Sequence, residues 1–199
     1  MKKSILATAI TASLALVAGN VLADTSGDAA QKVFVNVDPN IAVTAPTDPS
    51  TTMGAVQAGM FSGTVTFQVD ANEEAVVLGV TATDLYKGDV CSANPDVTPI
   101  PVDTTTGATV APAQANPLSG ASNVLTWASQ DTYLGCNGQR SEDVTFESSQ
   151  SGHFSQAVPV TVNWNLTNPE QPKGEYSGYI ILHTMLQSTA PATPAPTPG

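Results

Sequence analysis

Charged residues are scarce in this sequence, and basic ones are the scarcest. The 199-residue chain has six Lys and Arg against 17 Asp and Glu, a formal net charge of −11. Two of the basic residues, Lys2 and Lys3, fall in a predicted signal peptide, so the rest of the chain keeps four basic and 17 acidic residues and a formal charge of −13. Nucleic acids and anionic lipids are bound by positive surfaces. We therefore expect neither as a partner.

Long apolar runs are also missing, apart from a short one at the start. Lys2 and Lys3 precede a small-residue and aliphatic stretch over residues 5–18, and Val-Leu-Ala at 21–23 fits a signal-peptidase site before Asp24. No later run approaches the roughly 20 apolar residues of a membrane span. The sequence predicts a signal peptide over residues 1–23 and an exported mature form without a membrane span.

Cysteine and histidine are rare, with two of each. Cys91 and Cys136 do not form the C-x-x-C spacing of a redox site, and in an oxidising compartment two cysteines favour a disulfide. We predict a Cys91–Cys136 bond. His153 and His183 are too few for a histidine-rich metal site.

Sequence motifs of catalysis are lacking as well. The chain contains no G-x-S-x-G, H-E-x-x-H or Walker-type sequence. We expect no enzymatic activity, no cofactor and no metal site. Trp127 and Trp164 could line a sugar site, but a tryptophan within a valine-rich strand is more typical of a core.

Alternating apolar and polar residues are what the sequence does have. Residues 32–45, KVFVNVDPNIAVTA, place Val33, Val35, Val37, Ile41 and Val43 at odd positions, which share one face of a strand. The same period of two runs through residues 61–70 and 158–167. Residues 75–82 are apolar on both faces and indicate a central strand.

The remaining chain completes an all-β prediction. Residues 88–120 are rich in proline and predict a long loop or an insertion with short strands. Residues 175–187 predict a final strand with bulk on both faces. No helical period follows the signal. We predict an immunoglobulin-like sandwich over residues 46–187, either complete or lacking one strand. It is preceded by a leader and candidate donor strand over residues 24–45 and followed by a Pro/Thr/Ala-rich tail over residues 188–199.

Two stretches together resemble one family. The first, KVFVNVDPNIAV, is similar to the N-terminal donor segment of major pilins from alpha-type chaperone–usher fimbriae, the colonization-factor group. The second, GEYSGYIIL at 174–182, is similar to the family's Gly-x-Tyr-x-Gly followed by an aliphatic final strand. These motifs cover about 25 residues at the two ends of the chain.

The resemblance implies an incomplete sandwich whose missing strand is supplied by a neighbour. It implies a structural subunit of a bacterial surface fibre that supports adhesion or biofilm, with identical or related subunits, a periplasmic chaperone and an outer-membrane usher as partners. It also implies a passage through the periplasm to the cell surface. The residues implied are donor plugs at Val33, Val35, Val37, Ile41 and Val43, and an acceptor strand containing Ile180 and Leu182.

One alternative stays open on the sequence alone. The same alternation is also compatible with a self-contained exported β-sandwich that binds carbohydrate or a surface partner. In that case the N-terminal strand folds back into its own sheet.

Overall fold

The strands of the sandwich are short at its rims and long at its centre. A computed structural model describes residues 38–46, 58–88, 91, 97–118 and 120–186, and this part of the chain contains strands and no helix. The predicted signal peptide and the predicted tail lie outside the described residues. The strands are β1 (Ile41–Thr44), β2 (Gly59–Ala71), β3 (Ala75–Thr83), β4 (Tyr86–Lys87), β5 (Ala108–Val110), β6 (Ala115–Pro117), β7 (Val124–Leu125), β8 (Trp127–Tyr133), β9 (Cys136–Ser141), β10 (Val144–Ser148), β11 (Phe154–Leu166), β12 (Tyr176–Ser177) and β13 (Ile180–Leu186).

The first sheet is built on the long pair β2 and β11, in the order β1-β2-β11-β5-β7. These two antiparallel strands pair over their full 13 residues, from Gly59↔Leu166 to Ala71↔Phe154. Alternation explains the pairing, because every second residue of β11 from Phe154 to Leu166 is buried and the residues between them are not. The predicted strands over residues 61–70 and 158–167 are confirmed.

The second sheet is centred on β3, as its apolar sequence predicts. On one side β3 pairs with β10 and β9, and on the other with β13. The partner changes from β10 to β9 near Val80, whose N–H donates to Ser141 Oγ at 2.9 Å instead of to a strand carbonyl. The hairpin partner of β9 is β8, which forms the far edge of this sheet.

Both sheets turn one apolar row toward a shared core. Val76, Leu78, Val80 and Ala82 of β3 are fully buried and belong to the same cluster as the valines of β11. Trp164 is also buried in this cluster, and its indole N–H donates to the carbonyl of Thr83 across the two sheets at 2.9 Å. The core interpretation of Trp164 and the all-β sandwich class are therefore confirmed.

The proline-rich segment is an insertion with short strands, of which β5 and β6 are part. Cys91 and Cys136 form the predicted disulfide, which ties this region to β9. Residues 175–187 do not form one continuous strand, because β12 ends at Ser177 and β13 begins at Ile180. Gly178 lies between them, and a Cβ there would lie 2.7 Å from Thr83 Oγ and 2.8 Å from the carbonyl oxygen of Asp84.

Candidate subunit interface

Two strand edges lie on the same side of the sandwich. β1 covers only the last four residues of β2, from Thr44↔Gln68 to Ile41↔Ala71. β13 pairs with β3 over seven residues and has no second strand neighbour among the described residues. β13 contacts both β1 and β2 across the two sheets. We call residues 59–67 of β2 together with β13 the open side.

Core side chains are incompletely covered along the open side. Phe61 and Val65 of β2 and Ile180 of β13 pack against the core but stay partly exposed, while Leu182 is 7% exposed. Phe61 stacks on the buried Trp164 with ring centroids 6.2 Å apart. Farther from the core, Met60 and Met185 are more than half exposed. The open side therefore offers an apolar row next to the edge of β13, which has no second strand neighbour within the described part of the chain.

The described part of the predicted donor ribbon begins at Asp38. Val33, Val35 and Val37 lie outside the described residues. Ile41 and Val43 lie on β1, in register with Ala71 and Val69 of their own chain. Ile41 packs against the core, whereas Val43 is 38% exposed. In this structure the second half of the ribbon is thus an edge strand of its own sheet.

Asn72 holds residues 38–40, just ahead of β1. Its side-chain Oδ1 accepts from the N–H of Asn40 at 2.5 Å, and its Nδ2 donates to the carbonyl of Asp38 at 2.8 Å. The backbone N–H of Asn72 also donates to the carbonyl of Asn40. We call this set of bonds the Asn72 clamp. Asn72 belongs to the β2–β3 turn, and sequence reasoning missed its role because an asparagine in a turn is ordinary on its own.

The predicted acceptor residues are brought together on β13. Ile180 pairs with Ala82 and Leu182 with Val80, so both lie on the core-facing row of the central strand's neighbour. The opposite face of β13 carries His183, whose Nε2 lies 2.9 Å from Thr81 Oγ. Burial lowers the pKa of His183, the Arg140 guanidinium lowers it further, and Asp131 and Asp143 oppose both effects.

Arg140 and Asp143 form an ion pair over β3, with Nη2 and Oδ1 2.6 Å apart. Gly79 makes room for it, because a Cβ there would lie 2.0 Å from Asp143 Oδ1. Both charged side chains are partly exposed, so the pair adds little stability by itself. Its two charges affect the pKa of His183 on the outer face of the sheet in opposite directions, since Arg140 lowers it and Asp143 raises it.

Metal and membrane sites are not indicated in the described part of the chain. No group of three or more His, Cys, Asp or Glu side chains there could hold a metal ion. Among the same residues no helix is long and apolar enough to cross a membrane. His153 lies in an exposed turn, with Nδ1 3.0 Å from the carbonyl oxygen of Ser151.

Comparisons with protein-family models, with curated proteins and with solved structures find no match to this chain.

Proposed function

We propose that the chain is a structural subunit of a bacterial surface fibre, without catalytic activity, in which one subunit donates an N-terminal strand to the next. The open side is the single observation that carries this proposal. The edge of β13, which pairs only with β3 among the described residues, lies beside partly exposed core residues, and such an edge favours association with another chain. An added strand would pair the edge of β13 and cover Phe61, Val65 and Ile180 at the same time.

The donated strand in this proposal is the first half of the ribbon. Val33, Val35 and Val37 share one face of an extended chain, and that face matches the apolar row of the open side. Ile41 and Val43 stay on β1, because the Asn72 clamp separates them from the residues upstream. The donor set predicted from the sequence is thereby narrowed to three valines, with β1 as a fixed strand of the subunit.

The partners follow from the same open side. A lone subunit with such an edge needs cover before assembly, which is the task of a periplasmic chaperone in this proposal. Identical or related subunits then replace it, and an outer-membrane usher passes the growing fibre to the cell surface. The acidic composition suits a protein that stays soluble in transit. Adhesion or biofilm formation would be the role of the finished fibre.

One observation favours the self-contained alternative. Residues 41–44 pair with β2 of their own chain, which is how a sandwich that completes itself would begin. In that alternative residues 24–37 fold back beside β13 of the same molecule, and the isolated chain is a stable monomer. Both functions use the same edge, so they differ in whether the occupying strand belongs to the same chain or to another.

A pair of substitutions with opposite parity tests the proposal in cells that make the fibre. Val35→Asp places a charge on the predicted apolar face, while Asn36→Asp places the same charge on the other face of the same strand. We expect Val35→Asp to abolish fibres seen by electron microscopy and the ladder of heat-resistant multimers, and Asn36→Asp to retain both.

The result against the proposal is equally specific. Full-length exported protein that is monomeric without a chaperone, with the amide protons of residues 33–37 protected against exchange, would establish the self-contained sandwich. Equal fibre yields from the Val35→Asp and Asn36→Asp chains would exclude an alternating donor strand.

A further inference from the structure

A polar cleft lies at the edge of the second sheet that is farthest from the open side. It has a volume of about 300 Å³ and is lined by Asp84 and by residues of the β8–β9 hairpin. β8 and β13 occupy opposite edges of this sheet, so a strand added at β13 leaves the cleft uncovered. The cleft is therefore independent of the proposed function, and either outcome for the fibre leaves it to be explained.

Two cross-strand pairs place four side chains on one face of the hairpin. Gln130 pairs with Gln139, and Thr132 pairs with Asn137. Cross-strand partners share a face, and residues two apart on a strand share it too. Asp131, between them, also lines the cleft, but its carboxylate is already bonded, since Oδ2 accepts from the hydroxyl of Thr81 and Oδ1 from the N–H of Thr132. The four side chains thus converge on the cleft.

These side chains carry hydrogen-bonding groups that have no partner among the described residues. Within the described residues, the amides of Gln130, Asn137 and Gln139 and the hydroxyl of Thr132 make no side-chain hydrogen bond. Asp84 adds a carboxylate whose Oδ1 accepts from the N–H of Val102 at 2.9 Å, leaving Oδ2 for another donor. Burial raises the pKa of Asp84, which indicates that this carboxylate has lost part of its contact with water.

The backbone under the cleft is held from several directions. Asn137 donates its N–H to Tyr86 Oη at 2.9 Å, and its carbonyl accepts from the N–H of Asp84 at 2.8 Å. Its neighbour Cys136 is tied to Cys91 by the disulfide. Gly138 lies so close to β3 that a Cβ would be 2.1 Å from the carbonyl oxygen of Ala82. A binding surface fixed in this way loses little conformational freedom when a ligand arrives.

We propose that this cleft binds one residue of a neutral saccharide. Sugar hydroxyl groups donate to carboxylate and amide oxygens and accept from amide N–H groups, which is the set of free groups that the cleft presents. Its lining contains neither Lys nor Arg, so an acidic sugar would have no counter-charge there. It also contains no apolar side chain larger than the methyl group of Thr132, which makes an apolar ligand a poor fit. The pocket is at the lower end of the size of small-molecule sites.

Saturation-transfer NMR on the full exported chain tests the cleft, and it works for a monomer and for a fibre. The probes are the methyl glycosides of galactose, mannose, fucose, N-acetylglucosamine and N-acetylgalactosamine, with a methyl sialoside as the acidic comparison. We expect weak binding, on the order of millimolar, by at least one neutral glycoside. The sialoside should neither bind nor compete.

Two cleft variants and one control decide where a glycoside binds. Asp84→Asn keeps an acceptor for Val102 and removes the charge, and the double variant Gln130→Ala/Asn137→Ala removes two exposed amides. Each should weaken binding about tenfold or more. Ser129→Ala changes an exposed residue on the same strand but outside the cleft, and it should bind as the original chain does. Near-UV circular dichroism confirms folding, and two separate cleft variants keep the test valid if one fails to fold.

Several results would overturn the proposal. The first is that none of the neutral glycosides binds, and the second is that the sialoside binds as well as they do. Binding that neither cleft variant weakens would place the saccharide elsewhere on the chain. A calcium titration that shifts the cleft's side-chain amide resonances, with no shift from any glycoside, would make the cleft a cation site.

Discussion

His183 Nε2 on β13 lies 2.9 Å from Thr81 Oγ on the central strand β3. The hydroxyl of Thr81 has a single proton, and it donates that proton to Asp131 Oδ2 at 3.0 Å. His183 is therefore the donor of the bond between them, from a protonated Nε2. This chain of bonds links β13, β3 and β8 across the outer face of the sheet, and it joins the acceptor strand of the proposed fibre to the body of the subunit.

The first prediction is that the chain loses stability as the pH falls below the ordinary histidine pKa near 6.5. Burial and then Arg140 lower the pKa of His183 in the folded state, so the unfolded chain binds the proton more readily. Stability is complete above about pH 6.5 and decreases as the pH falls toward the lowered value. Urea unfolding between about pH 7.5 and pH 5.5 measures this effect.

Two histidine variants test whether His183 is the source of that pH dependence. His183→Gln keeps a side chain able to reach Thr81 and should flatten the change in unfolding free energy over this range. His153→Gln alters the exposed turn histidine and should leave the change as it is. If the two variants show the same pH profile, His183 is not the group responsible.

The second prediction concerns the turn between β8 and β9. Leu134 and Gly135 connect Tyr133 to its partner Cys136, and both have positive φ, of 49° and 85°. This is the pattern of a type I′ hairpin, in which asparagine or glycine is preferred at the first position. Leu134 is 69% exposed, so its side chain contributes little packing there. Leu134→Asn should stabilise the fold by about 1 kcal/mol, or raise the Tm by roughly 2–4 °C.

A substitution at the neighbouring residue, the last of β8, provides the control for the turn prediction. Tyr133→Asn introduces the same side chain one residue earlier and removes the edge-to-face contact of Tyr133 with Tyr179, whose ring centroids are 5.3 Å apart. It should lower the Tm. A Tm for Leu134→Asn at or below that of the original chain would mean that the leucine is not strained.

The long strands could be predicted from the sequence because each has one strongly apolar row. Phe61 to Val69 and Val158 to Leu166 alternate so regularly that burial follows directly, and the apolar sequence around Leu78 predicts the central position of β3. The disulfide was predictable as well, since two cysteines in a chain predicted to be exported have no other obvious partner.

The β8–β9 hairpin was not predictable in the same way. Residues 133–140 have no alternating apolar row from which a strand could be predicted. The structure makes them a strand pair held by Gly138 against β3. The cleft depends on which face of this hairpin each side chain occupies, and that register is fixed by tertiary contacts. The Asn72 clamp was missed for the same reason, because its partners are more than 30 residues away in sequence.

The third prediction is that removing the disulfide destabilises the fold without changing it. The bond closes a loop between residues separated by 45 positions, for which the loop-entropy model gives about 4 kcal/mol. Cys136 is completely buried, so alanine is a better replacement than serine, whose hydroxyl would need a partner. The double variant Cys91→Ala/Cys136→Ala should unfold at lower urea concentration and with a larger m-value, because the unfolded chain without the cross-link exposes more surface. A loss below about 1 kcal/mol would show that the unfolded chain gains little conformational freedom when the bond is removed.

The fourth prediction is that Asn72 determines where the proposed donor strand ends and β1 begins. Asn72→Ala removes the side-chain bonds to Asp38 and Asn40, and the loss of two such bonds should destabilise β1 locally by about 1–3 kcal/mol. Hydrogen exchange is the suitable measurement, because the amides of residues 41–44 should exchange faster while those of β11 stay unchanged. Asn168→Ala is the control and should leave β1 as it is, because among the described residues Asn168 bonds only to Glu170 and Gln171 of its own turn.

If the clamp separates donor from subunit, Asn72→Ala should also lower fibre yield, because a loosened β1 can dissociate from β2 and lengthen the donor. Unchanged exchange in β1 would mean that the pairing with β2 alone holds it, and the boundary between donor and subunit would then have to lie elsewhere.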